Sequence, residues 1–362
     1  MLILAVMAQQ AEHVLGKDEV TGSNPVNSSK NSKSDDLEFF YPLRKQWDII
    51  SRQTIHSCNM EVFMEFSKYL FCYFTGNLPE EERVHFAVSD DGYNFTSVNS
   101  GRPVIIQTKG KKCCRDPFIF RDEDNIFHII ATDMRSQDGW CNNNSMVVWD
   151  SKDLINWHNE RIIDFSCFEE TKSADRVWAP QIIYDKFRNE YMIYWTHHNT
   201  DDNLDTIIWY AYTMDFCNLT TAPKILYKPK SGMCAIDADI IEHNGKYYLF
   251  EADGEKEAIC YCIADRPDGP YYEPDNNKVS VADTALEGNC TYKILGTDKF
   301  VMIADQFKKG GYFMQETTDL INFTKVSEDK FSLNHLKPRH GSILHITETE
   351  YALLKDSEFS AE

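Results

Sequence analysis

The sequence predicts an all-β fold, a five-bladed β-propeller closed by a C-terminal strand that completes the first blade. Three observations predict it. A short unit recurs as "SDDGYNF" (89–95), "SKDLINW" (151–157), "TMDFCNL" (213–219), "ADRPDGPY" (264–271) and "TTDLINF" (317–323), and a period of roughly 50 to 60 residues is a blade length. Upstream of four copies stands a pair of apolar runs about a polar turn: "DPFIFRDEDNIFHIIA", "APQIIYDKFRNEYMIYW", "DADIIEHNGKYYLFE" and "CTYKILGTDKFVMIA". Short strands, Asn-Gly-type turns and little helical periodicity make each unit a four-stranded antiparallel sheet.

The first copy, residues 69–97, lacks an inner strand, whereas "RHGSILHITETEYALL" (339–354) has inner-strand character and no blade of its own. Pairing the two closes the ring and hides two sheet edges. A pair of β-sandwiches is the alternative, and it leaves the period unexplained. The propeller is assigned to residues 60–358. Residues 1–59 are read as a disordered or spurious extension: residues 9–36 are polar and lack any structural period. "GSNP" at 22–25 is what an in-frame transfer-RNA T-arm would encode, so the chain is expected to begin near Met60 or Met64.

At 362 residues with 42% hydrophobic content, the chain suits one large β domain. A formal charge of -20 repels nucleic acid and anionic membranes, leaving a neutral or cationic ligand as the better partner. "MLILAV" is too short for a signal core, and no later stretch is apolar enough to span a bilayer. Eleven cysteines, an odd number without zinc spacing, read as free thiols and point to a soluble, cytoplasmic protein. Asn-x-Ser/Thr triplets at Asn94, Asn143, Asn218, Asn289 and Asn322 arise by chance in an Asn-rich chain. "HHNTDDNLD" (197–205) fits no metal spacing and reads as a solvated loop, and "EADGEKE" (251–257) as a hairpin turn.

In a propeller the inner strands begin around the central axis, so polar residues at those points meet in one funnel. They are Asp116, Trp178, Asp237, Glu287 and the pair Arg339-His340; recurring turn caps are the alternative. Asp239 shares a strand face with Asp237 by simple alternation and rivals it.

The Asp-Pro, Trp-Ala-Pro, Ile-Asp, Glu-Gly and Arg-His-Gly signatures, in that order over residues 69–355, resemble glycoside hydrolase family 43. The resemblance implies a five-bladed propeller that hydrolyses arabinosides, xylosides or galactosides, galactofuranosides included, with inversion and exo action on oligosaccharides. It makes Asp116 the general base, Glu287 the general acid and Asp237 the modulator that orients the acid and raises its pKa. Trp178 is then a sugar-stacking wall or core, and Arg339 a ligand for a sugar hydroxyl or a carboxylate partner. His340 points into the central channel, beside a structural calcium or a water, or is a core histidine; no cofactor is required for the reaction. Three rival functions stand beside this one: a non-catalytic carbohydrate-binding propeller, a retaining fructan hydrolase, whose Asn-Asp-Pro-Asn-Gly stretch is absent, and a protein scaffold.

Overall fold

A computed structural model describes residues 64–357 and 359; the expected extension at 1–59 lies outside them. The strands form five antiparallel sheets. Blade 1 holds β1 (Phe66–Tyr73), β2 (His85–Ser89) and β3 (Phe95–Ser97); blade 2 holds β4 (Cys114–Arg121), β5 (Phe127–Asp133), β6 (Ser145–Ser151) and β7 (His158–Asp164). Blade 3 holds β8 (Ala174–Asp185), β9 (Glu190–Asn199), β10 (Ile207–Thr213) and β11 (Lys224–Tyr227). Blade 4 holds β12 (Ala235–His243), β13 (Lys246–Asp253) and β14 (Ala258–Ala264); blade 5 holds β15 (Glu287–Lys293), β16 (Phe300–Asp305), β17 (Tyr312–Thr317) and β18 (Thr324–Lys325). The last strand, β19 (Gly341–Thr347), joins blade 1 beside β1, with Tyr73 opposite Gly341 and Phe71 opposite Ile343. The chain thus closes its ring with an inner strand from its far end.

Period-two alternation explains why five sheets stack radially. Along β1, Leu70 and Cys72 pack with Ile119 and Ile129 of blade 2, while Tyr69, Phe71 and Tyr73 pack with Val301, Ile303 and Tyr312 of blade 5. β1 is apolar on both faces because a neighbouring blade covers each. The other cores lie likewise between blades 2 and 3, 3 and 4, and 4 and 5.

Two elements differ from expectation. Blade 4 has a three-stranded ladder, with isolated bridges Ile263–Tyr272 and Cys260–Lys278 where a fourth strand was expected. Its outer segment carries Pro267, Pro270 and Pro274, which have no N–H to give to a ladder. The inner-strand character ends at Thr347 rather than 354, because Thr347 and Glu350 form a reciprocal capping box that starts helix α1 (Glu348–Asp356). A bidentate pair of 2.8 Å bonds from Arg121 to Glu350 ties that helix to blade 2.

The recurring sequence unit is one repeated turn. In blade 2, Asp153 Oδ1 accepts from the backbone N–H of Ile155 (3.0 Å) and Asn156 (2.8 Å), Asp153 Oδ2 accepts from Asn156 Nδ2 (2.8 Å), and Ser151 Oγ accepts from the Leu154 N–H (3.0 Å). Asp91–Asn94, Asp215–Asn218 and Asp319–Asn322 repeat it. The residue two before each Asn, Gly92, Leu154, Phe216 or Leu320, takes positive φ. The Asp side chain supplies acceptors that the turn's backbone lacks. Because this turn follows the third strand, it lies at the end opposite to where the inner strands begin.

Candidate functional site

Four inner strands open on the same irregularity. The ladder register shifts between Arg115 and Phe118 in β4, Trp178 and Gln181 in β8, Ile236 and Asp239 in β12, and Glu287 and Cys290 in β15. At each bulge one residue is left-handed: Asp116 (φ 50°), Ala179 (φ 45°), Asp237 (φ 56°) and Gly288 (φ 59°). A bulge re-aims side chains at the end of a strand, and here it turns each left-handed residue and the one before it toward the axis. Neighbouring blades brace the bulges. Thr132 Oγ1 donates to Asp116 Oδ2 and accepts from the Ala179 N–H, both at 2.8 Å, and the Asp237 N–H donates to Thr196 Oγ1 at 3.0 Å.

His340, just before β19, is the hub. Its Nδ1 lies 3.1 Å from Asp116 Oδ1 and 3.5 Å from Asp237 Oδ2; its Nε2 lies 3.2 Å from Glu287 Oε1 and 3.7 Å from Asp305 Oδ2. Gly288 must be glycine here, since a Cβ would stand 2.3 Å from the imidazole ring. Arg339 completes the network, pairing through Nε with Asp305 and through Nη2 with Glu287 at 3.2 Å. The Gly288 N–H donates to Asp237 Oδ2 at 2.9 Å.

Burial and charge set the protonation states. Burial opposes charge on His340, but Asp237, Asp116 and Glu287 outweigh it and hold the imidazolium well past its usual range. Burial pushes Asp116 up, yet the His340 bond and charge, with Arg115 and Thr132, leave it below its ordinary value. Asp237 is pushed up to about 6, chiefly by burial and then by the Glu287 and Asp116 charges against the pull of His340. Glu287 departs from expectation: burial raises it, but His340 and Arg339 prevail and hold it below the usual carboxylate range. The like-charge penalty expected on the glutamate falls on Asp237.

These groups line one cavity of about 320 Å³ with Asn77, Arg115, Met134, Trp140, Trp178, Ile236 and Phe307. All six sequence-picked residues, Asp116, Trp178, Asp237, Glu287, Arg339 and His340, meet there. Asp239 does not, because the bulge breaks the alternation that paired it with Asp237; it is buried and accepts from the Thr291 N–H at 2.7 Å. Sequence reasoning missed Asn77, Arg115, Trp140, Asp305 and Phe307. The Arg115 guanidinium lies 4.5 Å from the Phe74 ring and 4.9 Å from that of Trp140, and bonds Asn77 (2.7 Å) and buried Glu82 (3.1 Å). Register offered a signal for it: Arg115, Trp178, Ile236 and Glu287 hold one position in four blades, immediately before the left-handed residue.

Asp237, Glu287 and His340 place ligand-type atoms within 4.8 Å of one another. Both His340 nitrogens face carboxylates, at 3.1 and 3.2 Å, so a cation on that triangle would have to take the place of a proton on the imidazole. Beyond the ring a void of about 20 Å³ reaches Gln181, Asn289 and Ser342. Gln181 Oε1 already accepts from the Tyr194 hydroxyl, and both amide atoms of Asn289 are buried without partners. One water fits that space and those groups; calcium asks for six to eight oxygens.

A family profile described as a probable glycosyl hydrolase domain, Glyco_hydro_43_rel, spans residues 65–352. An α-L-arabinofuranosidase of Bifidobacterium longum subsp. longum is 27% identical over 183 residues, 44% of this chain and 17% of that one, so the chain spans about a sixth of its curated relative. A thermostable family-43 glycoside hydrolase superposes with TM-score 0.54 at 14% identity, covering 74% of this chain and 91% of that one. The xylan β-1,4-xylosidase of Bacillus halodurans C-125 gives 0.52 at 16%, covering 73% and 53%. The superpositions establish a shared propeller fold, and the profile, which takes in every blade and every residue of the funnel, establishes that this chain belongs to that family 43-related group of glycosyl hydrolase domains.

Proposed function

We propose that the chain is an exo-acting, inverting glycoside hydrolase that removes terminal arabinofuranosyl residues from plant or microbial oligosaccharides, with xylosyl, galactosyl and galactofuranosyl residues as the next candidates. One observation carries the reading: Asp116 and Glu287 stand at opposite nitrogens of one imidazole, at 3.1 and 3.2 Å. Carboxylates held on opposite edges of an imidazole stand apart rather than in contact, which is what an inverting pair, about 6.5 to 9.5 Å apart, requires. The named activity of the Bifidobacterium relative favours arabinofuranose. The cavity lies at the small end of the usual range for ligand sites, roughly 300 to 1,000 Å³, which suits a terminal residue rather than a long glycan.

In this reading Asp116, the carboxylate kept ionised, takes a proton from water as the water attacks the anomeric carbon. Glu287 delivers a proton to the leaving oxygen. Held low in the free chain, Glu287 is resupplied through the imidazole: His340 Nε2 passes it a proton at 3.2 Å as Nδ1 recovers, at 3.1 Å, the one that Asp116 takes from the attacking water. Asp237 fixes the imidazole and the Gly288 backbone, and so orients the acid. Trp140, Trp178 and Phe307 offer ring faces to the apolar face of a sugar. The enzyme acts without an added cofactor, and the cytoplasm is its proposed location.

The test is hydrolysis of aryl α-L-arabinofuranoside, β-D-xyloside, β-D-galactofuranoside and β-D-galactopyranoside by the native chain and by Glu287→Gln, with the first-formed anomer read by NMR. Turnover lost in the variant, with an inverted product, is the expected result. Sugar binding without turnover in either protein would replace this reading with a carbohydrate-binding propeller.

A further inference from the structure

Blade 4 buries charge that the catalytic funnel does not use. Along β13 the side chains facing blade 3 begin as Tyr247 and Leu249 and continue as Glu251 and Asp253, with Cys260 of β14 directly opposite Glu251. Apolar alternation predicts two more hydrophobic residues here; the chain supplies two carboxylates and a thiol. Glu251 is 0% exposed, Asp253 3% and Cys260 0%, and their ligand-type atoms lie within 4.8 Å of one another.

Glu251 makes the case specific. Both of its carboxylate oxygens are buried without a hydrogen-bond partner, and a buried carboxyl left unpaired carries the full cost of its desolvation. The nearest cation, Lys256, is engaged elsewhere: its Nζ donates to Asn277 Oδ1 at 2.7 Å and stands 3.8 Å from Asp253 Oδ2. Asp253 Oδ1 is committed to the turn, accepting from the Glu255 and Lys256 N–H groups at 3.0 and 2.8 Å, while Oδ2 has only the long 3.8 Å approach of Lys256 Nζ.

We propose that Glu251, Asp253 and Cys260 form a structural site for one divalent cation of the zinc class, remote from the funnel. A thiolate with two carboxylates suits a borderline cation better than calcium or magnesium, which favour all-oxygen shells. Metal–ligand bonds of about 2.0 to 2.3 Å put tetrahedral ligands roughly 3.5 Å apart, so a modest closing of the 4.8 Å cluster suffices. Binding expels protons from the carboxyl and the thiol, and joins adjacent strands of blade 4 at its face with blade 3.

The whole chain is purified without chelator and assayed for zinc, then stripped and titrated with Co²⁺, whose thiolate complex absorbs in the near ultraviolet. The expected result is about one zinc per chain, a thiolate-to-cobalt band, loss of both in Cys260→Ser and loss of stoichiometric metal in Glu251→Gln. Glycoside hydrolysis should persist in both variants, since none of the three residues lines the funnel. Native protein that neither retains zinc nor develops the band would overturn the proposal, as would a band that survives in Cys260→Ser. Serine and glutamine are near-isosteres, and a thermal melt of each apo variant against apo native protein separates lost metal from a lost fold.

Discussion

The two ends of this propeller solve different problems with the same strands. At the far end four blades carry one turn, in which an Asp accepts from two backbone N–H groups and an Asn side chain. At the near end four blades share a left-handed bulge, but no two blades carry the same residue pair there: Arg-Asp, Trp-Ala, Ile-Asp and Glu-Gly. Repetition at one end sets the blade, while variation on a repeated backbone at the other gives each blade one chemical task. Stability and chemistry should therefore separate by end.

The largest expected effect breaks the near end alone. Glu287→Gln should lower kcat/KM by about 10² to 10⁴-fold, the usual contribution of a general acid, while the thermal midpoint stays near that of the native chain. A melting point that fell with activity would undo the separation. Gly288→Ala should come next. Its Cβ meets the His340 ring and its φ is left-handed, so activity should fall at least tenfold with a stability cost of about 1 to 3 kcal/mol. Denaturant melts and initial rates on one preparation measure both.

At the far end, Asp153→Ala strips the acceptors from one turn and should cost about 1 to 2 kcal/mol in denaturant melts, leaving kcat/KM of the folded fraction unchanged. A change in KM would show that the ends communicate. The smallest effects lie in pH, where the far-end turn aspartates and the buried pair Asp237 and Asp239 have opposite signs. Burial raises Asp319, but the Asn322 and Ile321 N–H groups and neighbouring side chains outweigh it and hold it at about 2; Asp91, Asp153 and Asp215 are lowered likewise. Their contribution is present above the ordinary Asp value and is lost as pH falls toward 2, by less than about 1 kcal/mol each at exposed sites. Asp237 and Asp239 are raised, chiefly by burial, to about 6 and about 7. Their contribution is present at pH 4 and is lost as pH rises through 6 to 7. Melting curves from pH 2 to 9 should lose their acid limb in part in Asp319→Asn and their neutral-pH decline in part in Asp237→Asn.

The far end was the legible end. Because the turn needs Asp and Asn at fixed offsets, it wrote itself into the sequence four times, and the blade count followed. The same requirement accounts for three Asn-x-Thr triplets: Asn94, Asn218 and Asn322 each give their amide to the turn's own Asp. Blade 4 shows the limit, since "ADRPDGPY" keeps the spacing but not the Asn or the fourth strand. At the near end, Asp116, Asp237 and Glu287 could be found because inner strands must start somewhere definite. Arg115 was passed over as part of the Arg-Asp-Pro step, and Trp140 and Phe307 lie on connections with no period to mark them. The direction of the Glu287 shift was unreadable for a further reason: it depends on which edge of one imidazole each carboxylate faces, and spacing in sequence does not encode that.

The closing strand also puts the site in time. Asp116, Asp237, Glu287 and Asp305 leave the ribosome before Arg339 and His340, the cations that come to lie among them. Until β19 docks beside β1, these carboxylates lack the two cations that come to lie among them. β19 and the two residues before it therefore seal the ring and supply the groups that hold the carboxylates together in one stroke. A chain halted after Leu336 should carry every carboxylate of the site and turn over nothing, so that hydrolysis itself certifies a finished fold.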